Sequence, residues 1–229
     1  RRQRQMCIRD RKNVMRLDLI EKIQPHDIFQ GILDDCYFLA ALSALAERPI
    51  FIERLFDMDR SDSVVEKKYY VELILGGMKK KVELDDFVPC VEKNGRYTPL
   101  FAKTGDAEDE IWVLLLEKAW AKLYGSYEKI AWGDLEEALS ACTGAPVYQN
   151  FFDGTIGKNE ENWKILLNAA KENYPSLAAS THKRNDKNVV RNHAYTILDA
   201  YELYGNRYVK LRNPVGKNEP DGRIAYRGK

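Results

Sequence analysis

The sequence is poor in cysteine and histidine, lacks an excess of either charge, and contains no long apolar run. Its 229 residues include four Cys and three His, and 36 basic against 35 acidic side chains give a formal net charge of +1. This balance argues against a general nucleic-acid-binding protein, because such domains carry a clear basic excess. No apolar run approaches the roughly 20 residues that cross a bilayer, and no signal-peptide pattern opens the chain. We therefore expect an intracellular, cytoplasmic protein without a transmembrane segment.

The four cysteines are widely scattered, at Cys7, Cys36, Cys90 and Cys142. They show neither metal-binding CxxC spacing nor the density of a secreted disulfide scaffold, which favours a reducing compartment. With 45% apolar residues, the chain is long enough to bury a real core, either as one large domain or as two small ones.

The segment Gln30–Leu42 places one of these cysteines at the start of a predicted helix. From Cys36 to Glu47 there is no Gly or Pro, and strong helix formers dominate. Asp34 and Asp35 stand where N-caps are expected. Cys36 then lies in the first turn, where unpaired N–H groups and the helix macrodipole favour a thiolate. The residue is a candidate nucleophile, and the alternative is a small core residue among aromatic neighbours.

A base and an orienting group for such a nucleophile occur near the C-terminus. His193 begins an alternating apolar run typical of a strand, and Asn213 ends the next strand after a Tyr-Gly-Asn turn. If these two strands pair antiparallel, the His193 and Asn213 side chains lie close together. The order Cys, His, Asn is that of papain-like proteases. Taken singly, His193 could be a strand histidine with satisfied hydrogen bonds, and Asn213 before Pro214 is a good turn former.

Five motifs in this order resemble the calpain family of cysteine proteases. The resemblance extends roughly from Asp27 to Gly216, and each motif alone would be weak. The motifs are Gln30-Gly31 with Asp35-Cys36, Leu84–Pro89, Glu110–Trp112 running into Leu115–Lys122, His193–Tyr195, and Arg212–Pro214.

The resemblance implies an α+β fold of two papain-like lobes with the site in the cleft between them. A mainly helical first lobe with a β-hairpin would occupy residues 17–143, and a β-rich second lobe residues 144–229. Residues 1–16, with seven basic side chains against one acid, would form a basic arm, either a solvated helix or a contact for acidic partners or lipid. The second lobe is expected to be truncated, and the chain to belong to a longer parent with further domains. From the residues we predict helices at 36–47, 50–56, 110–124, 134–141 and 161–173, a hairpin at 69–84, and a polar loop at 92–109.

The resemblance also implies a calcium-dependent intracellular endopeptidase that cleaves protein or peptide substrates by limited proteolysis. Cys36 would be the nucleophile, His193 the base and Asn213 the group that orients the imidazole. The Cys36 backbone N–H and the Gln30 side-chain amide would form the oxyanion hole.

Calcium ligands follow from the same resemblance, and no organic cofactor is implied. The carboxylates of Asp27 and Glu110, with backbone carbonyls around Ile20 and Lys22, would bind one ion through hard oxygen ligands. Glu219 matches one ligand of a second, less complete site. On their own, these acids would be solvated surface charges.

Several positions depart from the family pattern. Asp34 and Asn192 replace Gly, Tyr37 and Val215 replace Trp, and Pro25 replaces Arg. A second carboxylate about 6 Å from the sulfur, at an effective dielectric of about 20, raises the thiolate energy by roughly 3 kcal/mol unless it points to water. The alternative hypothesis is therefore a catalytically inactive homologue that serves as a binding or regulatory module. The third hypothesis is a globular protein of another class whose motif matches are fortuitous.

Overall fold

The described part of the chain is built around one helix, Cys36–Leu45, in which all ten residues are buried. A helix that is apolar all round can be stable only inside a protein, so other elements must cover every face. The computed structural model describes residues 4–7, 22–57, 68–93, 96–105, 110–150, 160–179 and 190–216.

Five α-helices occur among these residues, and their positions follow the predicted apolar periodicity. The predicted helices are confirmed with small shifts at their ends. The second begins at Pro49, a residue expected only to end the helix before it. The helices are α1, Cys36–Leu45; α2, Pro49–Glu53; α3, Trp112–Tyr124; α4, Leu135–Thr143; and α5, Glu160–Lys171.

Ten strands form four antiparallel sheets in the described residues. Their order is β1-β5-β6 and β8-β9-β10 in the three-stranded sheets, and β2-β7 and β3-β4 in the two-stranded ones. The strands are β1, Arg4–Cys7; β2, Ile28–Phe29; β3, Lys68–Leu75; β4, Met78–Asp85; β5, Phe87–Lys93; β6, Arg96–Pro99; β7, Lys103–Thr104; β8, Ser176–Ala179; β9, Ala194–Leu203; and β10, Asn206–Arg212.

The predicted hairpin is confirmed as β3 and β4, joined by Gly76 and Gly77 with φ values of 58° and 74°. Left-handed conformation at both central residues is what a two-residue turn requires, and glycine adopts it without steric cost. The polar, turn-rich stretch at 92–109, for which no strand was predicted, contains β6, β7 and the end of β5. The first region is therefore less dominated by helix than expected.

The predicted basic arm is also corrected over part of its length. Arg4–Cys7 forms β1, which pairs antiparallel with Phe87–Cys90 of β5, so this stretch is a strand and not a solvated helix. The rest of residues 1–16 lies outside the described residues.

The second three-stranded sheet carries the predicted base and its orienting group. β9 and β10 pair antiparallel, with Thr196 opposite Arg212, so His193 and Asn213 lie just beyond the paired ends. The helix α5 and the helix α1 both contact β9. One end of this sheet is thereby placed against the start of α1.

A buried hydrogen bond fixes the sheet to the central helix. The Thr196 hydroxyl, on a residue with no exposed surface, donates to the Ala40 carbonyl oxygen at 2.8 Å. The bond joins residues 156 positions apart in sequence. It holds the strand that follows His193 against the helix that begins with Cys36.

We expect Thr196→Val to lower the free energy of unfolding by about 1 kcal/mol, because the side chain keeps its shape and loses the buried hydrogen bond. Urea unfolding of the two proteins measures this difference. Thr196→Ser is the control, since it keeps the hydroxyl and removes one methyl group. If the serine variant lost as much as the valine variant, packing and not the hydrogen bond would hold the strand.

Candidate active site

Cys36 is the first residue of α1, and its side chain is buried except for 8% of its surface. Asp35 occupies the N-cap position as predicted, but its carboxyl makes no capping hydrogen bond with the described helix. The expected capping role is therefore wrong for this side chain, which is turned into the core. The sulfur is left at the helix start, with a small window to solvent.

The expected bias of Cys36 towards the thiolate is not found. Burial raises the pKa of the Cys36 thiol, and the backbone N–H groups of Ala194 and Tyr37, which favour the thiolate, offset only part of that effect. The Asp35 and Asp34 charges raise the pKa further. A helix start alone does not ionise this cysteine, so a neighbouring positive charge would be needed.

His193 and Asn213 are brought together as the strand pairing predicts. The imidazole Nε2 and the Asn213 Oδ1 are 2.7 Å apart. Because a carboxamide oxygen only accepts, this hydrogen bond puts the proton on Nε2 and makes Nδ1 the basic nitrogen of the neutral ring. The Val215 backbone N–H donates to the same Oδ1 at 3.0 Å, which fixes the carboxamide in turn.

The backbone around His193 connects it to Cys36. The N–H of Ala194, the next residue, lies near enough to the Cys36 sulfur to lower the pKa of its thiol. Asn192 has a φ of 49°, a left-handed conformation that asparagine tolerates better than most residues, so it can stand where the family has glycine. The Tyr195 ring meets the imidazole edge-on, with ring centroids 5.0 Å apart. Histidine and cysteine are therefore neighbours across the junction of α1 and β9.

The loop that carries Gln30 is tied to the segment that carries Asn213. The Gln30 backbone N–H donates to the Pro214 carbonyl oxygen at 2.8 Å. The Arg212 Nη2 donates to the Ile28 carbonyl oxygen at 2.6 Å. The Gln30 side-chain amide also donates, from Nε2 to the Leu33 carbonyl oxygen at 2.6 Å. The amide has a second N–H group, and this group would donate to an oxyanion.

The two adjacent acids before Cys36 have opposite environments. Asp34 is exposed, and its carbonyl oxygen accepts from the Trp132 backbone N–H at 2.9 Å. Asp35 is fully buried beside Glu117 of α3. Glu117 was missed by sequence reasoning. Its signal was a charged residue inside the apolar run of a predicted buried helix face.

The predicted calcium ligands Asp27 and Glu110 lie close enough to interact electrostatically. Burial raises the pKa of the Asp27 carboxyl, a backbone N–H from Gln24 opposes this, and the Glu110 charge adds to the increase. Glu110 Oε1 accepts from the Lys22 backbone N–H at 2.6 Å. Lys22 therefore contacts Glu110 through its N–H, whereas a carbonyl was expected to ligate the ion.

Two of the proposed ligands, Ile20 and Glu219, lie outside the described residues. Within the described ranges, no group of three or more His, Cys, Asp or Glu side chains is arranged to hold a metal ion. In those same ranges no helix has the length and apolarity to span a membrane.

A cysteine at a helix start, beside a histidine that is hydrogen-bonded to an asparagine, has the residue types and chain order that define the papain-like class of cysteine proteases. The model of the calpain family of cysteine proteases matches residues 1–228. The chain belongs to this family.

Individual relatives agree with the family match. The chain is 33% identical over 205 residues to the calpain-type cysteine protease DEK1 of Zea mays, covering 84% of this chain and 9% of the relative. It is 31% identical over 212 residues to calpain-8 of Rattus norvegicus, covering 86% and 28%. It is 34% identical over 215 residues to calpain-14 of Homo sapiens, covering 86% and 29%. The chain thus spans less than a third of the length of these relatives.

Removing the imidazole should show the effect of burial on the thiol. In His193→Phe we expect Cys36 to titrate above the ordinary thiol pKa of 9.0, because burial is then unopposed by a positive charge. The pH dependence of alkylation by iodoacetamide, followed at Cys36 by mass spectrometry, measures this pKa. A midpoint below 9.0 in this variant would show that the helix start alone stabilises the thiolate.

Proposed function

We propose that this chain is the protease core of a calcium-regulated calpain-type endopeptidase, with Cys36, His193 and Asn213 as its triad and a papain-like arrangement of two lobes. The observation that carries the proposal is the His193–Asn213 hydrogen bond of 2.7 Å beside the sulfur. That bond leaves Nδ1 as the base on a ring whose neighbour, Ala194, already contacts the sulfur through its backbone. Substrates would be extended segments of proteins or peptides.

In the first step, His193 Nδ1 takes the Cys36 proton, and the resulting imidazolium supplies the positive charge that a buried thiolate needs. The thiolate attacks a peptide carbonyl carbon, forming a carbon–sulfur bond while the carbonyl oxygen becomes an oxyanion. Asn213 holds the imidazole through Nε2 in both protonation states, since Nε2 remains a donor throughout.

In the second step, the oxyanion accepts hydrogen bonds from the Cys36 backbone N–H and the Gln30 side-chain amide. His193 returns the proton to the leaving amine as the peptide bond breaks, which leaves a thioester on Cys36. Water, activated by the neutral imidazole, hydrolyses the thioester and restores the thiol. Each oxyanion donor of this kind is typically worth on the order of 100-fold in rate.

Calcium fits the Asp27 and Glu110 pair as part of a larger ligand shell. The two carboxylates repel each other through a partly buried region, and a divalent cation would remove that repulsion. Asp27 lies directly before β2, which leads into the Gln30 loop. A bound ion would supply positive charge and rigidity to this segment.

The alternative is an inactive homologue that serves as a binding or regulatory module. The observation that favours it is the raised pKa of the buried Cys36 thiol. A cysteine that remained a thiol at neutral pH would be a poor nucleophile.

Labelling with a peptide bearing a thiol-reactive electrophile separates the two proposals. We expect Cys36 to be modified at least about 100-fold faster than Cys90 or Cys142, because only Cys36 would have an imidazole partner. Site-resolved mass spectrometry measures each rate. Cys142 is a matched internal control, since it is also buried and its pKa is raised by burial to about 12.

Two variants sharpen this labelling experiment. His193→Ala should reduce the Cys36 rate to that of an ordinary buried thiol, and Gln30→Ala should leave alkylation nearly unchanged while it lowers peptide hydrolysis on the order of 100-fold. Equal labelling of all cysteines in calcium-loaded wild-type protein would contradict the endopeptidase proposal and support the inactive homologue.

Calcium binding is tested through stability as well as through activity. We expect millimolar calcium to raise the thermal unfolding midpoint of the wild-type chain, since a ligand that binds only the native state stabilises it. In Asp27→Asn combined with Glu110→Gln the increase should disappear, because both charged ligands are lost. Magnesium at equal concentration controls for ionic strength, and an equal increase in the variant would exclude these two ligands.

A further inference from the structure

Two buried carboxyl groups meet directly behind the nucleophile. Asp35 has no exposed surface, and neither of its carboxyl oxygens has a hydrogen-bond partner of good geometry among the described residues. Glu117 is 2% exposed, and its Oε1 accepts from the Ala102 backbone N–H at 2.9 Å. The two carboxyl groups are close enough to interact with each other inside the core.

Two carboxylates cannot form a hydrogen bond, because each only accepts. A single proton between them changes this, since the protonated group then donates to the other and the pair carries one charge in place of two. Burial raises the pKa of Asp35 to about 7, and burial with the Asp35 charge raises that of Glu117 well above its usual range. At neutral pH the pair is therefore expected to hold at least one proton.

Other titratable groups face the pair. Asp34 and Cys36 adjoin Asp35 in the chain, and Asp34 acts on it electrostatically. Tyr37 of α1 and Tyr127, in the turn after α3, also interact with it, and burial raises the pKa of both phenols. These tyrosines remain neutral at physiological pH, and Asp34 is exposed, so the pair itself is the group expected to titrate there.

The pair connects two parts of the proposed site. Asp35 stands at the start of α1, one residue before the sulfur. Glu117 holds Ala102, and Leu100 in the same loop accepts from the Ile32 backbone N–H at 3.2 Å. Gly31 lies so close to the Phe101 carbonyl oxygen that a Cβ atom would be 2.0 Å from it. The position of the Gln30 loop therefore depends on the segment that Glu117 anchors.

We propose that Asp35 and Glu117 are positioning residues that share one proton, and that their O–H···O hydrogen bond fixes the start of α1 and the Gln30 loop for reaction. This rests on the proposed function, since the positioned groups are the nucleophile and the oxyanion donor. Loss of the shared proton would break the hydrogen bond and place a second negative charge behind the thiolate.

The pH dependence has a definite sign. The folded pair keeps a proton that the unfolded chain releases near the ordinary pKa of carboxyl groups. Stability from the pair is therefore present at low pH and falls as pH rises, first towards the folded value of about 7 for Asp35 and then towards the raised value of Glu117. For each retained proton, the unfolding equilibrium constant rises by up to about tenfold per pH unit in that window.

The experiment compares amide and apolar replacements in the full 229-residue chain. Glu117→Gln and Asp35→Asn each leave an N–H donor that can bond the remaining carboxyl group, so the hydrogen bond is kept while the pair has one titrating carboxyl in place of two. Glu117→Leu keeps the size and removes the hydrogen bond and the acceptor for Ala102. Urea unfolding and Cys36 alkylation are measured for each protein between about pH 5 and about pH 8.

We expect the wild type to lose stability as pH rises, with a markedly smaller loss in the two amide variants. Over the same pH range, we expect Cys36 of the wild type to gain less reactivity than Cys36 of the amide variants, because only the wild type acquires a second charge behind the thiolate. Glu117→Leu should react more slowly than Glu117→Gln at every pH. Equal pH slopes in the wild type and both amide variants would overturn the shared proton. Equal reactivity of the Leu and Gln variants would overturn the positioning role.

The same data separate this inference from the proposed function. If Cys36 reacts no faster than the other cysteines in any protein, the endopeptidase proposal fails and the positioning role fails with it, and the unfolding slopes still report whether the proton is shared. If Cys36 reacts rapidly but the slopes are equal, the pair alone is refuted.

Discussion

The site depends on the contact between the start of α1 and the end of the β9–β10 sheet. Thr196 donates to the Ala40 carbonyl, the Gln30 N–H donates to the Pro214 carbonyl, and Arg212 donates to the Ile28 carbonyl. All three hydrogen bonds end on backbone oxygens of segments far apart in sequence. Because backbone positions fix the distances, cysteine and histidine can be neighbours without a direct covalent or ionic link between their elements. The calpain family has an arginine at the position of Pro25, and that arginine was expected to couple the lobes. In this chain Arg212 connects two distant segments through its hydrogen bond to the Ile28 carbonyl oxygen.

Three buried acidic groups lie near this contact, and burial makes the ionised form of each unfavourable. The Cys36 thiol and the Asp35 and Glu117 carboxyls are all buried, and burial raises the pKa of each. A lone thiolate would be unfavourable there, and so would two carboxylates. In the proposed mechanism, proton transfer to His193 would avoid the first cost by creating a positive charge next to the sulfur. The energetics thus favour an ion pair and disfavour an isolated anion, which makes the imidazole more important than the helix macrodipole.

Much of this could be predicted from local patterns, and the rest required tertiary contacts. Alternation and a turn signal were enough to pair His193 with Asn213, and the absence of Gly and Pro was enough for α1. The pairing of Arg4–Cys7 with β5 could not be predicted, because nothing in either short stretch specifies a partner more than 80 residues away. The inward direction of Asp35 was also hidden, since Glu117, the group that it meets in the core, lies on another helix.

The departures from the family pattern carry less weight once their surroundings are known. Asp34 still raises the pKa of the Cys36 thiol, but it is exposed, so solvent weakens this effect, which is smaller than that of burial. Val215 replaces a tryptophan, yet its backbone N–H still holds the Asn213 carboxamide, a contact that any residue except proline can make. Asn192 adopts the left-handed backbone that glycine would. At Val215 and Asn192 the geometry of the site depends on the backbone, and the substitution changes only the side chain. Divergence from the family pattern at these positions is therefore a poor argument for loss of activity.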